Sequence, residues 1–382
     1  MPIAAASLFR SLESCHTDSS PATNDAEVPR MEEPKKYLRG CSRHGQLYFT
    51  FGVIADIQYA NKPDGLSGWK TMRYYSQSCL HFQDAIKQWN AKDIKPKFVL
   101  QLGDIIDSYN KRAGRSEESL EMVLSMTKVA LMPFHHVWGN HEFYNFTREY
   151  LMDSKLNTTW LQDKQQKELE QSCGGTSDNK DYYAYHFCPH TKFRFIVVDT
   201  YDLNVISGEM SIEKHLKSLN LMESSQDKLN GFHLREFNGG MGQEQLAWLN
   251  DVLSYSDQNG EKVIIAGHIP IHPKAMRSAC LAWNYDEILR TIYSHQCVVC
   301  YFAGHDHSGG YHRDSHGIHH VTMEGVIESP PGTNAFGTVF VYEDGLLLEG
   351  RGRVRDRFLP YDMGDTLGTS CLTCSGVSSK EG

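Results

Sequence analysis

Gly139-Asn140-His141-Glu142 decides how this chain reads. The apolar segment Phe134 to Trp138 runs straight into it, which places the Asn-His pair on a loop leaving a strand. Four further segments repeat the arrangement: Asp56-Ile57-Gln58, Gly103-Asp104, Gly267-His268 and Gly304-His305-Asp306-His307. Each follows an apolar, β-rich run and sets carboxylate, amide or imidazole groups at its C-terminal end. One acid or histidine at a strand end is an ordinary cap or turn residue. Five such ends in one chain predict that their side chains converge on a metal centre. Small turns help the convergence, and Gly103, Gly139, Gly267 and Gly304 each stand immediately before one of these residues or its partner.

The strands alternate with helical periodicity. Tyr48 to Ala55 reads as a buried strand, Met72 to Asn90 as a helix and Phe98 to Leu102 as a strand. A helix over Glu117 to Val129 and the strand into Gly139 follow. This is an α/β order with short right-handed crossovers. Further on, Phe193 to Asp199, Lys262 to Ala266 and Val298 to Ala303 predict strands, and Gly242 to Leu253 and Tyr285 to His295 predict helices. Residues 203–238 are polar and read as a helical or mobile insertion over the site. Ile318 to Met323, Gly337 to Tyr342 and Leu346 to Glu349 predict a β-rich end, with Glu343-Asp344-Gly345 as a hairpin turn. Residues 1–45 lack an apolar period and are expected to be a disordered extension, and residues 361–382 a disordered tail.

With 382 residues the chain is long enough for one large domain. A net charge of −9 supplies no global basic field, which argues against nucleic acid and anionic membrane as partners. No apolar run reaches the length of a membrane span. The ten cysteines show no framework spacing. Cys297 and Cys300 fall inside an apolar strand, and Cys371 and Cys374 in a Ser/Gly-rich tail; reduced thiols are expected rather than zinc ligands or disulfides. A cytoplasmic monomer is the expectation, with a mitochondrial address as the alternative because Arg10 and several serines precede the domain.

In order and spacing the five motifs resemble the calcineurin-like metallophosphoesterase superfamily over roughly Tyr48 to Arg355. That resemblance implies an α/β (α+β) sandwich: two central mixed sheets flanked by helices in four layers, with residues 46–360 as the domain. It implies that Asp56, Gln58 and His307 hold one metal, that Asn140, His268 and His305 hold a second, and that Asp104 bridges them. His141 then faces the phosphate as general acid or transition-state stabiliser, and a metal-bridging hydroxide attacks. Such sites hold two divalent cations roughly 3.5–4 Å apart, which neutralise phosphate charge and acidify water. The common first motif is Asp-x-His. Here Gln58 puts a neutral amide oxygen in place of the imidazole, a harder donor that favours Mn²⁺, with Mg²⁺ as the alternative and Zn²⁺ an ion the isolated protein could carry.

A narrower resemblance is to the manganese-dependent ADP-ribose/CDP-alcohol diphosphatase branch. It rests on Ala55-Asp56-Ile57-Gln58-Tyr59-Ala60, Gln101 to Asp107, Trp138 to Asn145 and Glu324-Gly325-Val326-Ile327-Glu328-Ser329-Pro330-Pro331. Cys280-Leu281-Ala282-Trp283-Asn284 and Gly350-Arg351-Gly352-Arg353-Val354 belong to it as well. It implies hydrolysis of small-molecule nucleotide diphosphates: ADP-ribose, and CDP-alcohols such as CDP-choline and CDP-glycerol. Tyr59, Trp69, Phe143, Tyr144 and Tyr201 are candidates to stack on a base, and Arg73 or Lys70 to neutralise the distal phosphate. A cyclic nucleotide phosphodiesterase on the same fold is the alternative. A non-catalytic scaffold is opposed by the presence of both His141 and Asp104. His135 and His136 read as structural, Asp107 as an orienting acid or an exposed helix-start acid, and His272 as a residue close behind the site. His312, His316, His319 and His320 read as surface or strand positions.

Overall fold

The structure, a computed structural model, describes residues 44–161, 181–207, 210–225, 235–277 and 279–362. The expected extension up to residue 43, the tail from 363, the Cys371/Cys374 pair and parts of the 203–238 insertion lie outside the described residues. In chain order the elements are β1 (Leu47–Ile54), β2 (Gly65–Leu66), β3 (Met72–Arg73), α1 (Tyr75–Ala91) and β4 (Val99–Gln101). Then come α2 (Tyr109–Arg112), α3 (Ser116–Met126), β5 (Phe134–His136), α4 (Asn140–Asn145) and α5 (Arg148–Asp153). The second half has β6 (Tyr185–His190), β7 (Phe193–Val197), α6 (Ile212–Ser225), α7 (Gln243–Gln258), β8 (Lys262–Ala266), α8 (Tyr285–Tyr293) and β9 (Val298–Ala303). It closes with β10 (Gly310–Arg313), β11 (His319–Thr322), β12 (Ala335–Tyr342), β13 (Gly345–Gly352) and β14 (Arg357–Pro360).

Two six-stranded sheets result, ordered β14-β13-β12-β1-β4-β5 and β10-β11-β9-β8-β7-β6. Each has a parallel heart, β1-β4-β5 in one and β7-β8-β9-β11 in the other, extended by antiparallel strands. The sheets pack face to face through aromatics. Phe51 of β1 meets Phe195 of β7 and Phe302 of β9 edge-on at 5.1 and 5.9 Å, and Phe98 meets Phe187 at 5.1 Å. On the outer face of the first sheet, α1 buries Tyr75, Ser78, Phe82, Ala85, Ile86 and Trp89, a stripe at three- and four-residue spacing. Because both faces of β1 are covered, Phe49 to Ile54 is apolar almost without alternation. The expected mixed-sheet sandwich with flanking helices is therefore what forms.

The structure corrects several bounds. α1 starts at Tyr75, not Met72, because Met72–Arg73 pairs with Gly65–Leu66 and Tyr74 donates its N–H to Ile327 O at 2.7 Å. Asn140 and His141 do not lie on a loop; they open α4, whose N-cap Gly139 donates its N–H to Glu142 Oε2 at 2.7 Å. The region after residue 145 holds a strand that periodicity did not reveal, β6, whose Pro189 and flanking histidines mask the β pattern. β10 and β14 were also missed, each being a four-residue edge strand. His44, beyond the expected start at 46, is already packed on Phe358, and Tyr361, assigned to the tail, is buried and against Phe193. Among the described cysteines, Cys79, Cys297 and Cys300 are free thiols. No helix among the described residues is long and apolar enough to cross a membrane.

His135 and His136 are structural, as expected. The His135 ring stacks on Phe187 at 3.7 Å and bonds Tyr185 Oη at 2.9 Å, and His136 Nδ1 meets Gln101 Oε1 at 3.1 Å. Burial depresses both imidazoles, to about 3 and about 4. A depressed imidazole is neutral in the fold and takes up a proton on unfolding, so its contribution to stability is present above about 6.5 and is lost as the pH falls towards 3. The His135→Phe variant should keep the stack and remove one such proton. The slope of unfolding free energy against pH near pH 5, measured by denaturant titration, should fall by about 1.4 kcal/mol per pH unit.

Candidate metal centre

Every predicted site residue sits just beyond the C-terminal end of a parallel strand. Asp56 and Gln58 follow β1, Asp104 follows β4, Asn140 and His141 follow β5, His268 follows β8, and His305 and His307 follow β9. Open parallel sheets expose their turns there, and two packed sheets bring two sets of turns together. The turns are stitched to one another: Asp56 N–H to Gly103 O at 3.2 Å, Gln58 N–H to Asp104 O at 2.9 Å, and Gly304 N–H to His268 O at 3.0 Å. Backbone strain concentrates here. Asp56, Gln58, Asp104 and His305 have φ of +54°, +43°, +57° and +68°, and the one other non-glycine residue with positive φ among those described is Lys70. Holding a side chain-bearing residue in that region costs of order 1–3 kcal/mol, so the surrounding fold must over-determine it. Sequence periodicity carries no sign of this strain.

Two groups of ligand atoms form, each within 4.8 Å: Asp104, His268 and His305, and Asp56, Asp104 and His307. Asp104 belongs to both. His268 Nε2 lies 3.5 Å from Asp104 Oδ2 and 3.1 Å from His305 Nδ1, and His307 Nε2 lies 3.4 Å from Asp56 Oδ1. The Gln58 side-chain nitrogen is 2.9 Å from both Asp104 Oδ2 and His307 Nε2, while its Oε1 is buried without a partner. An amide turned end for end fills the same space, and would aim that oxygen between Asp104 and His307 as a ligand. Asn140 Oδ1 accepts the Tyr201 hydroxyl at 3.2 Å, and the next residue's N–H donates to Asp104 Oδ1 at 2.9 Å. The donor set of carboxylates, amides and imidazoles fits a pair of divalent cations sharing one carboxylate.

The outer partners settle which imidazole nitrogen is free. His268 Nδ1 is 2.7 Å from Leu102 O, His305 Nε2 is 2.8 Å from Asn238 Oδ1 and His307 Nδ1 is 3.0 Å from Glu328 Oε1. Each of those nitrogens must donate, which leaves His268 Nε2, His305 Nδ1 and His307 Nε2 as lone pairs facing the carboxylates. His141 differs. Its Nδ1 accepts the Ser108 N–H at 2.8 Å, so the neutral ring carries its proton on Nε2, 3.9 Å from Asp104 Oδ2. Burial lowers the His141 pKa, which keeps that ring neutral.

Burial and charge compete across the site. Burial opposes charge on Asp104, yet the nearby His268 and His141 imidazoles hold it well below the usual carboxylate range. Burial likewise opposes charge on His268 and His307, but Asp104 and Asp56 respectively outweigh it and raise both to about 9. A cation taking those nitrogens displaces their protons, so its affinity falls as the pH drops below about 9. Glu142, buried and near Asp104, is pushed up to about 7 even though it accepts the N–H groups of Gly139, Asp104 and Ile105 at 2.7–2.8 Å.

Asn238, Glu328, Glu142 and Phe237 were not singled out from sequence. Glu142 and Glu328 stand inside quoted motifs; Asn238 and Phe237 lie in the polar stretch read as an insertion. Phe237 packs edge-on against His305 at 5.4 Å, and the exposed Trp69 meets Phe237 at 6.3 Å. Of the other aromatic candidates, Phe143 and Tyr201 are buried as packing, whereas Tyr59 and Tyr144 are half-buried. Asp107 is buried rather than an exposed helix-start acid: its Oδ1 accepts the Tyr109 N–H at 2.8 Å and its Oδ2 accepts from Arg73 at 3.2 Å, so it seats Arg73. His272 is not behind the site: its ring packs on His312 and His320, at 4.5 and 4.7 Å.

A family model described as calcineurin-like phosphoesterase matches residues 49–309, the span that carries Asp56, Gln58, Asp104, Asn140, His141, His268, His305 and His307. The chain belongs to that family. Among curated relatives of this phosphoesterase, the manganese-dependent ADP-ribose/CDP-alcohol diphosphatase of Homo sapiens is 51% identical over 84% of this chain and 95% of its own length. The Bos taurus protein of the same name is 50% identical over 84% of this chain and 96% of its own length. A solved structure, a dimetal phosphatase from Danio rerio, superimposes with a TM-score of 0.75 at 41% identity, covering 83% of this chain and all of that one.

The tightness of the centre is testable at Gly139. A Cβ there would lie 2.2 Å from Asp104 Oδ1 and 2.7 Å from His268 Cε1. Gly139→Ala should displace both groups, lowering bound Mn²⁺ measured by elemental analysis and cutting kcat/KM by about 10²-fold or more.

Proposed function

We propose that this phosphoesterase hydrolyses ADP-ribose to AMP and ribose 5-phosphate, and CDP-alcohols to CMP and a phosphoalcohol, with two divalent cations, Mn²⁺ preferred and Mg²⁺ accepted. The carrying observation is the shared carboxylate: Asp104 belongs to both ligand groups, so two cations can sit close enough to share one diphosphate. Asp56, Gln58 and His307 hold one, Asn140, His268 and His305 the other. The neutral Gln58 amide supports the preference for a hard ion. When bound, the pair supplies charge neutralisation on the phosphates and a water acidic enough to be a nucleophile.

The chain's own groups do the rest. In the reaction the water oxygen joins one phosphorus, the P–O bond of the anhydride breaks, and the second phosphate leaves. His141 directs its Nε2–H at a phosphate oxygen, held in that tautomer by the Ser108 N–H at its Nδ1. Arg73, partly buried beside Asp107 with its Nε unpartnered, offers a guanidinium to the phosphate distal to the attack. Trp69 and Phe237, beside His305, form the wall on which a base stacks. Small nucleotides, not nucleic acid or membrane, are the partners of this acidic chain, and we assign it to the cytoplasm as a monomer of one domain.

A hydrolysis panel at neutral pH tests the reading, using metal-stripped protein with Mn²⁺ or Mg²⁺ restored. Mn²⁺-dependent release of AMP from ADP-ribose and CMP from CDP-choline is expected; cleavage of cyclic AMP alone would move the substrate class to cyclic nucleotides. In the same assay His141→Ala should lose about 10²–10⁴-fold in kcat while retaining its Mn²⁺. Trp69→Ala should raise KM for ADP-ribose with little change in kcat, because stacking acts on ground and transition states alike.

A further inference from the structure

The motif Glu324 to Pro331 touches the centre so far described only through Glu328, and the ending Gly350 to Val354 not at all, yet the two meet behind it. Gly325 N–H donates to His307 O at 3.1 Å, Val326 N–H to Ala55 O at 3.1 Å and Ile327 N–H to Asp56 O at 3.0 Å. Arg353 donates to Gly325 O at 2.9 Å and to His307 O at 3.0 Å, and its guanidinium lies 3.8 Å from Glu328 Oε2. The segment thus grips the backbone of Ala55, Asp56 and His307 and delivers one carboxylate, Glu328 Oε1, to His307 Nδ1.

The three imidazoles are not supported alike. His268 leans on a peptide carbonyl and His305 on a neutral amide. Among the described residues, Glu328 is the one carboxylate on the outer nitrogen of any of the three. A carboxylate there makes an imidazole a stronger donor than a neutral acceptor does. The asymmetry falls on the group that holds Gln58, where a neutral amide stands in place of a more basic nitrogen. We infer that Glu328 is a positioning residue, seated by Arg353, that strengthens His307 as a donor and so offsets the weak Gln58 ligand at one of the two cation positions. The inference rests on the two-cation reading above.

The test is Mn²⁺ binding to the full, metal-stripped chain, read from the electron paramagnetic resonance signal of free Mn²⁺. Glu328→Gln keeps an oxygen for the His307 Nδ1–H and removes the charge. It should move one of two Mn²⁺ equivalents to about 10–100-fold higher free Mn²⁺ and leave the other within threefold. A double-mutant cycle assigns the equivalent. In a His307→Ala background Glu328→Gln should change nothing further, whereas in a His305→Ala background it should still weaken the equivalent that remains. Equal weakening of both equivalents would overturn the inference, as would no change. Circular dichroism of the metal-free variant separates misfolding from lost charge, and Glu328→Asp, which restores charge at a shorter reach, should recover part of the affinity. If the unaltered chain binds fewer than two Mn²⁺, the two-cation reading itself fails; if it binds two and Glu328→Gln matches it, only the role of Glu328 does.

Discussion

The centre depends on one carboxylate serving two groups of ligands. Asp104 lies with His268 and His305 on one side and with Asp56 and His307 on the other. Two like-charged cations held close repel each other strongly, and a shared anion between them offsets that repulsion. The requirement is positional. Asp104 is held at φ +57° at the end of β4, with its N–H and that of Ile105 both bound to the Glu142 carboxylate. Glu142 also binds the N–H of Gly139. One buried glutamate therefore ties the turn that carries the shared carboxylate to the turn that carries Asn140 and His141.

The sandwich makes this possible. Each sheet contributes turns from the C-terminal ends of its parallel strands, Asp56 and Asp104 from one and His268, His305 and His307 from the other. The aromatic seam of Phe51, Phe98, Phe195 and Phe302 fixes how the sheets lie on each other. A slip in that seam would separate the two halves of each ligand group, so the core sets the chemistry as well as the stability. The strained residues at the turns draw on the same rigidity: Asp56, Gln58, Asp104 and His305 hold left-handed backbone because the packed strands leave no alternative.

Outer partners divide the histidines by role. Three imidazoles donate their outer proton to a carbonyl, an amide and a carboxylate, which frees the inner nitrogen for a metal. The fourth, His141, accepts a backbone N–H instead and so carries its proton on Nε2. Four histidines in one cleft thus present two different faces inward, three a lone pair and one an N–H, decided by whether the group behind each ring is an acceptor or a donor.

Much of this was legible in the linear sequence. Apolar runs ending in Asp, Asn or His marked both the strands and the side chains that converge beyond them, because a buried parallel strand and the turn beyond it are each local patterns. Asp56, Gln58, Asp104, Asn140, His141, His268, His305 and His307 could all be chosen before any fold was known. Whatever arises between distant segments was not legible. The Glu142 carboxylate that opens α4 at Gly139 also binds the N–H groups of Asp104 and Ile105, 38 and 37 residues away. Asn238, in a stretch read as an insertion, reaches His305 across 67 residues, and Glu328 reaches His307 across 21. The β6 strand took its conformation from pairing with β7 rather than from its own composition. The sequence by itself determined which side chains could bind metal. Only the tertiary structure decided which nitrogen of each histidine faces inward, because a proton goes where a hydrogen-bond partner waits, and those partners come from elsewhere in the chain.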